Sequence, residues 1–310
     1  MRQHSSATVL ERPAISRSRA GLLWGLLGVF AFSFTVPFTR IAVEALSPLF
    51  IASGRAVLAA LLAAAALALT RQQFPRGRQW LKVAVVAAGV VAGFPLLTSF
   101  ALQTASASHG AVVIALLPAA TAVVTVLRSG ERPGTGFWVA ACAGAAVTVA
   151  FVAIQGGGFE GLSWHDLLLF AAVIAAAFGY AEGGLLAREL GAWQTISWAL
   201  VAAAPLMAVL TAVAVAQQPP SATPAQWAAF AYLGVVSMFL GFFAWYRGLQ
   251  IGPMAQVSQV QLVQPVLTLA WAALMLREPF SWGTVVGALA VIACAAIAVR
   301  TRGRGAAGRG

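Results

Sequence analysis

Ionisable side chains are so scarce within the apolar segments of this chain that each is a candidate for function. Glu182, in the run from Phe178 to Gly184, is the one carboxylate well inside such a segment. A carboxylate there can take up a proton when facing one side of a membrane and release it to the other, so Glu182 is the expected coupling group. The competing reading is structural: Glu182 snorkels to the surface or pairs with Arg188. His109 shares the coupling role, because imidazole changes charge near neutral pH. So near a helix end, it is equally open to being held by hydrogen bonds alone. Arg55 lies about 10 Å in from one surface and Glu182 about 24 Å from the same surface, at 1.5 Å per residue, so the two do not pair. Gln261 and Gln264 cannot face lipid without cost. With Trp24, Tyr180 and Tyr246 as aromatic walls, and with Glu182 and His109, they make up the expected substrate-binding set. Such a cavity suits a zwitterionic or neutral amphipathic solute.

No enzyme signature accompanies these residues. Gly156, Gly157 and Gly158 are followed by no lysine and so form no phosphate cradle. The three histidines, His4, His109 and His165, show no metal-ligand spacing. Neither a metal nor a cofactor is expected. Cys142 and Cys294 sit in apolar runs and are read as small buried hydrophobes.

The elements that must position the candidates are set by composition. Of 310 residues, 61% are hydrophobic and 9% charged, against about 25% charged in a soluble domain. The chain is therefore an integral membrane protein whose surroundings are lipid. A net charge of +11 does not imply nucleic acid, since the arginines are scattered over short loops and tails with no basic face. All-α spans are expected over about 21–39, 47–69, 82–102, 105–127, 134–154, 166–187, 192–216, 226–247, 254–276 and 281–299, each long enough to cross a bilayer. Ala31, Phe32 and Ser33 resemble a signal-peptidase site, but the apolar run continues past them, so the first span is expected to stay uncleaved. Ser163 and Asp166 predict a cap at the start of the sixth helix.

The ten spans fall into two copies. A shift of 147 residues superposes Leu102 on Leu249, Gln103 on Gln250, Pro118 on Pro265, Thr121 on Thr268 and Glu131 on Glu278. The expected organisation is a polar tail over 1–20, a first five-helix repeat over 21–154, a second over 166–299 and a basic tail over 300–310. With the N-terminus inside, 16 of the 19 basic residues fall on the cytoplasmic side, leaving Arg40 and Arg277 outside and Arg55 within a span. Both termini are thus expected in the cytoplasm. Five spans per copy invert the second copy, the architecture of secondary transporters with a site at the midplane. Pro118 and Pro265 then lie near mid-membrane, as kinks for packing or as paired walls of one cavity. Glu131 and Glu278 are expected to be structural, serving the positive ends of the helices that follow them.

Leu23, Trp24 and Gly25 in span one, Ser47 and Pro48 leading to Arg55, and Ala101 and Leu102 through Pro118 to Gly130, Glu131 and Arg132, with the second copy ending at Glu278, carry a resemblance. Over residues 20 to 300 the sequence resembles the EamA-type, ten-helix branch of the drug/metabolite transporter superfamily. That resemblance implies a multi-pass carrier of the bacterial inner membrane, often an exporter of amino acids, metabolites or toxic small molecules. It implies a structural role for Arg55, holding neighbouring carbonyls. The expectation is therefore a secondary transporter, monomeric or homodimeric, driven by protons or by exchange. The alternative is a non-transporting intramembrane enzyme or assembly subunit. An enzyme would need reactive groups at one depth, whereas Glu182, His109 and Arg55 are expected at different depths.

Overall fold

The computed structural model describes residues 14–129, 134–155, 163–252, 257, 260–278 and 281–307. Every regular element among them is helical. Seven of the helices are long and apolar enough to cross a membrane: α1 (Arg19–Ala42), α2 (Pro48–Leu69), α3 (Gln79–Ala101), α4 (Ala107–Arg128), α6 (Trp164–Leu190), α7 (Ala192–Gln217) and α8 (Pro224–Ile251). Three shorter apolar helices are α5 (Thr135–Phe151), α9 (Gln261–Leu276) and α10 (Trp282–Ile297). Two expected boundaries differ. The first helix already begins at Ala14, within the expected tail, and the last continues to Ala307, beyond residue 299.

Helix starts follow from local chemistry. Ser47 caps α2, its Oγ accepting from the Phe50 N–H, with Pro48 at the first position where a missing N–H costs nothing. At α8, Thr223 Oγ1 accepts from the Gln226 N–H while Gln226 Oε1 accepts from the Thr223 N–H. The expected cap on α6 is present: Asp166 Oδ2 accepts from the Ser163 N–H at 3.0 Å and from its Oγ at 2.8 Å.

Packing joins α2 to α7, α4 to α9 and α5 to α10, and crosses over as α1 to α8 and α3 to α6. The crossed pairs meet backbone to backbone. A Cβ on Gly179 would lie 2.5 Å from Val90 Cγ1, and one on Gly248 would lie 2.8 Å from the Gly25 nitrogen. Close approach through small residues is how helices associate without a hydrophobic drive between them.

Five helices depart from α geometry. α1 breaks at Phe34, between Ser33 and Thr35. α3 widens into π-turns over Ala87–Gly93, and α8 does so over Leu233–Leu240. α4 is interrupted at Ala115 and Leu116, and α9 opens with a 3₁₀ turn over Gln261–Val263. Proline explains three of these. Pro95, Pro118 and Pro265 each stand just after an irregular stretch, where the ring would clash with the carbonyl four residues back and no N–H is available to it. Pro118 and Pro265 thus interrupt their helices, a stronger effect than a bend. α8 repeats the widening of α3 with no proline following it.

Candidate substrate cavity

The five departures converge on one place. A narrow cavity lies between α1, α2, α3, α4, α6, α8 and α9. Its lining takes Thr35 and Val36 from beside the break in α1, Val90 from the π-turns of α3, Ser237 and Met238 from those of α8, and Leu117 and Gln264 from beside the interruptions in α4 and α9. A smaller cavity shares Val36, Leu117 and Gln264 with it and adds Pro118, Gln261, Pro265 and Thr268. Irregular backbone at membrane depth survives only where it is buried in protein or faces such a space. Interhelical bonds settle part of what the breaks release. Thr268 Oγ1 donates to the Ser33 carbonyl at 3.0 Å, and Trp271 Nε1 donates to Ser33 Oγ at 2.9 Å.

The walls are mostly apolar and aromatic. Phe32 stacks on Tyr180 with ring centroids 6.3 Å apart, and Phe242 meets both rings. The polar groups are few. Thr35 and Ser237 share a hydrogen bond of 2.7 Å between hydroxyls. Arg55 is 1% exposed and forms part of this lining. Its Nε has no hydrogen-bond partner, and among the described residues it enters no ion pair. The expected role of holding neighbouring carbonyls therefore has no bond to carry it there. Both amide atoms of Gln261 and Oε1 of Gln264 are likewise buried without partners. A charge buried within a membrane-spanning helix is costly unless something answers it. Buried polar groups are normally paired, so Arg55 and Gln264 on the larger cavity and Gln261 on the smaller one are a set of unused bonds.

Of the expected substrate-binding residues, Tyr180 and Gln264 line this space, Gln261 lines only the smaller cavity beside it, and the others lie elsewhere. Trp24 is 42% exposed on the outer face of α1. Tyr246 is fully buried but serves packing: its hydroxyl donates to the Gly179 carbonyl at 3.2 Å and its ring covers Gly183, binding α8 to α6. His109 stands at the start of α4, its Nε2 2.7 Å from Asp166 Oδ1. Glu182 is buried near the far end of the bundle, where Oε1 accepts from Arg128 Nε. Its partner is Arg128, on α4, in place of the expected Arg188. Glu182 and Arg128 line a separate cavity of about 600 Å³ with Arg78 and Lys82.

Glu278 also differs from expectation. Its two oxygens accept from the Ala107 and Ser108 N–H groups at 2.8 and 2.9 Å, so it serves the start of α4 and not of α10. Its mate Glu131 lies outside the described residues. Sequence reasoning did not single out Thr35, Ser237, Phe32 or Phe242. Their only signal is that each falls on a helix that breaks or packs closely against one that does.

Comparison with known proteins bears on the same geometry. The profile of the EamA-like transporter family matches the chain twice, over residues 19–153 and 163–300. A protein of Bacillus subtilis (strain 168), named "Uncharacterized transporter YdeK", is 43% identical over 294 residues, covering 92% of this chain and 99% of its own. The "Probable terminal-alkyne amino-acid exporter" of Streptantibioticus cattleyicolor is 25% identical over 290 residues, covering 91% of this chain and 95% of its own. A solved structure described as "Crystal structure of protein" superposes with a TM-score of 0.64 at 20% identity, covering 93% of this chain and 99% of that one. At that identity the likeness concerns the fold alone.

Proposed function

Because the chain belongs to the EamA-like transporter family, we propose that it is a secondary exporter of small carboxylate-bearing solutes, amino acids foremost, working by alternating access around the Arg55 cavity. The observation that carries this reading is Arg55 itself: a buried guanidinium with an unpartnered Nε, facing an apolar space beside the open amide of Gln264. A carboxylate held by this arginine would complete the missing ion pair, while Phe32, Tyr180 and Phe242 would enclose a compact side chain. The relative named as a probable amino-acid exporter points to the same class of cargo.

The architecture we infer is ten spans in two inverted repeats, in the bacterial inner membrane with both termini cytoplasmic. Three features support it. The family profile matches twice, the shift of 147 carries the π-turns of α3 onto those of α8 to within a residue, and the packing pairs are preserved when the halves are exchanged. Exchange sends α1–α8 to α6–α3 and leaves α2–α7, α4–α9 and α5–α10 as they are. We favour a carrier over an intramembrane enzyme because the chain belongs to a transporter family and Glu182, His109 and Arg55 occupy three separate surroundings.

The test is counterflow in proteoliposomes containing the purified protein, with labelled apolar amino acids as cargo. Arg55→Gln removes one charge-assisted contact, worth roughly 1.5–3 kcal/mol, so transport efficiency should fall by about 10- to 100-fold while the protein still purifies intact. Amino acid amides, which lack the carboxylate, should compete poorly with the parent protein. Equal competition by acids and amides, or an Arg55→Gln variant as active as the parent, would remove the carboxylate from the proposal.

A further inference from the structure

We propose that His109, His165 and Asp166 form a binding site for a divalent transition-metal ion of the zinc type, joining the start of α4 to the start of α6. One ligand atom from each of the three residues lies within 4.8 Å of the others. His109 Nε2 is 2.7 Å and His165 Nε2 3.7 Å from the same oxygen, Asp166 Oδ1. The two imidazole rings stand nearly perpendicular, with centroids 5.8 Å apart. Zinc–ligand bonds are about 2.0–2.2 Å, so tetrahedral ligands stand roughly 3.3–3.6 Å from one another. The His165–Asp166 separation of 3.7 Å is close to that already, the His109–Asp166 pair at 2.7 Å needs to open by roughly 0.6–0.9 Å, and the two histidine nitrogens, within 4.8 Å of each other, need to close by at most a little over 1 Å.

The surroundings orient the donors. Thr104 Oγ1 lies 3.3 Å from His165 Nδ1, which leaves Nε2 to face Asp166. An oxygen partner on the second ring nitrogen is what fixes a ligating imidazole. The other oxygen of Asp166 is occupied by the Ser163 N–H and hydroxyl, so Oδ1 is the one presented. Asp166 is 2% exposed in its side chain, whereas His109 is 15% and His165 29% exposed, so the ion would enter from the histidine side and keep water there. Three protein ligands with an open fourth position, two nitrogens and one oxygen, suit zinc; calcium and magnesium prefer all-oxygen sets. The sequence gives no warning of this, because His109 is remote from His165 along the chain. The ion would bridge the two halves at one end of the bundle, beside the place where Glu278 holds the same helix start. The proposal does not depend on what the protein carries.

The experiment uses the full chain purified in detergent through a tag without histidine. Calorimetric titration with Zn²⁺ alone should show one ion bound per chain. Titration with Co²⁺ should give the visible absorption of a low-coordinate site, removed on adding Zn²⁺. His165→Ala, at a part-exposed position, should keep the melting temperature of the metal-free protein and weaken Zn²⁺ binding by at least about 10-fold, the low end of what disturbing even a supporting group costs. His109→Ala should weaken it as well. Failure to bind a stoichiometric ion, or parental affinity in His165→Ala, overturns the proposal; the second result would place the ion on His4 or on Cys142 and Cys294.

Discussion

At the scale of single residues, the bond between Glu182 and Arg128 is the clearest lesson. Arg188, six residues on, lies about 9 Å along the same helix and on another face, beyond the three- or four-residue spacing at which helical side chains meet. Helical geometry alone therefore rules it out, and only the tertiary fold could supply Arg128 from α4. We propose that Glu182 is the coupling group. Glu182→Gln keeps size and hydrogen bonding but removes titration. The variant is expected to retain counterflow at equal pH and to lose accumulation driven by a pH gradient. Accumulation at the parental level would reduce the pair to a strut between α4 and α6. Arg55 was legible as an anomaly, but a sequence cannot show whether a buried cation has been answered by its neighbours, and here its Nε has not.

The elements show the same boundary between what a chain declares and what it withholds. The Ser163–Asp166 cap and the paired prolines could be read directly, because each acts through its own backbone neighbours. The π-turns could not: the runs Ala87–Gly93, ahead of Pro95, and Leu233–Leu240, with no proline after it, both suit an ordinary helix equally well. Pro118 and Pro265 offer the test at this scale. Replacing either by Ala restores an N–H, heals the interruption and pulls Leu117 or Gln264 out of the cavity lining. Each variant should insert and purify normally while its transport falls. Parental kinetics in both would make the interruptions a matter of packing alone.

For the whole molecule, composition and the shift of 147 announced a duplicated helical membrane protein, while the crossed pairing of α1 with α8 and α3 with α6 required coordinates. The inverted arrangement predicts that reporter fusions at residue 310 and in the loop from Gln217 to Pro224 fall on opposite sides of the membrane; finding both on one side would end it. One contact also sets an order of events. The first amides of α4, at Ala107 and Ser108, are closed by a carboxylate 171 and 170 residues downstream. During synthesis the first half must wait in the bilayer with that helix start exposed until Glu278 emerges. The early half is thus an unfinished intermediate, and assembly closes only when nearly the last helix arrives.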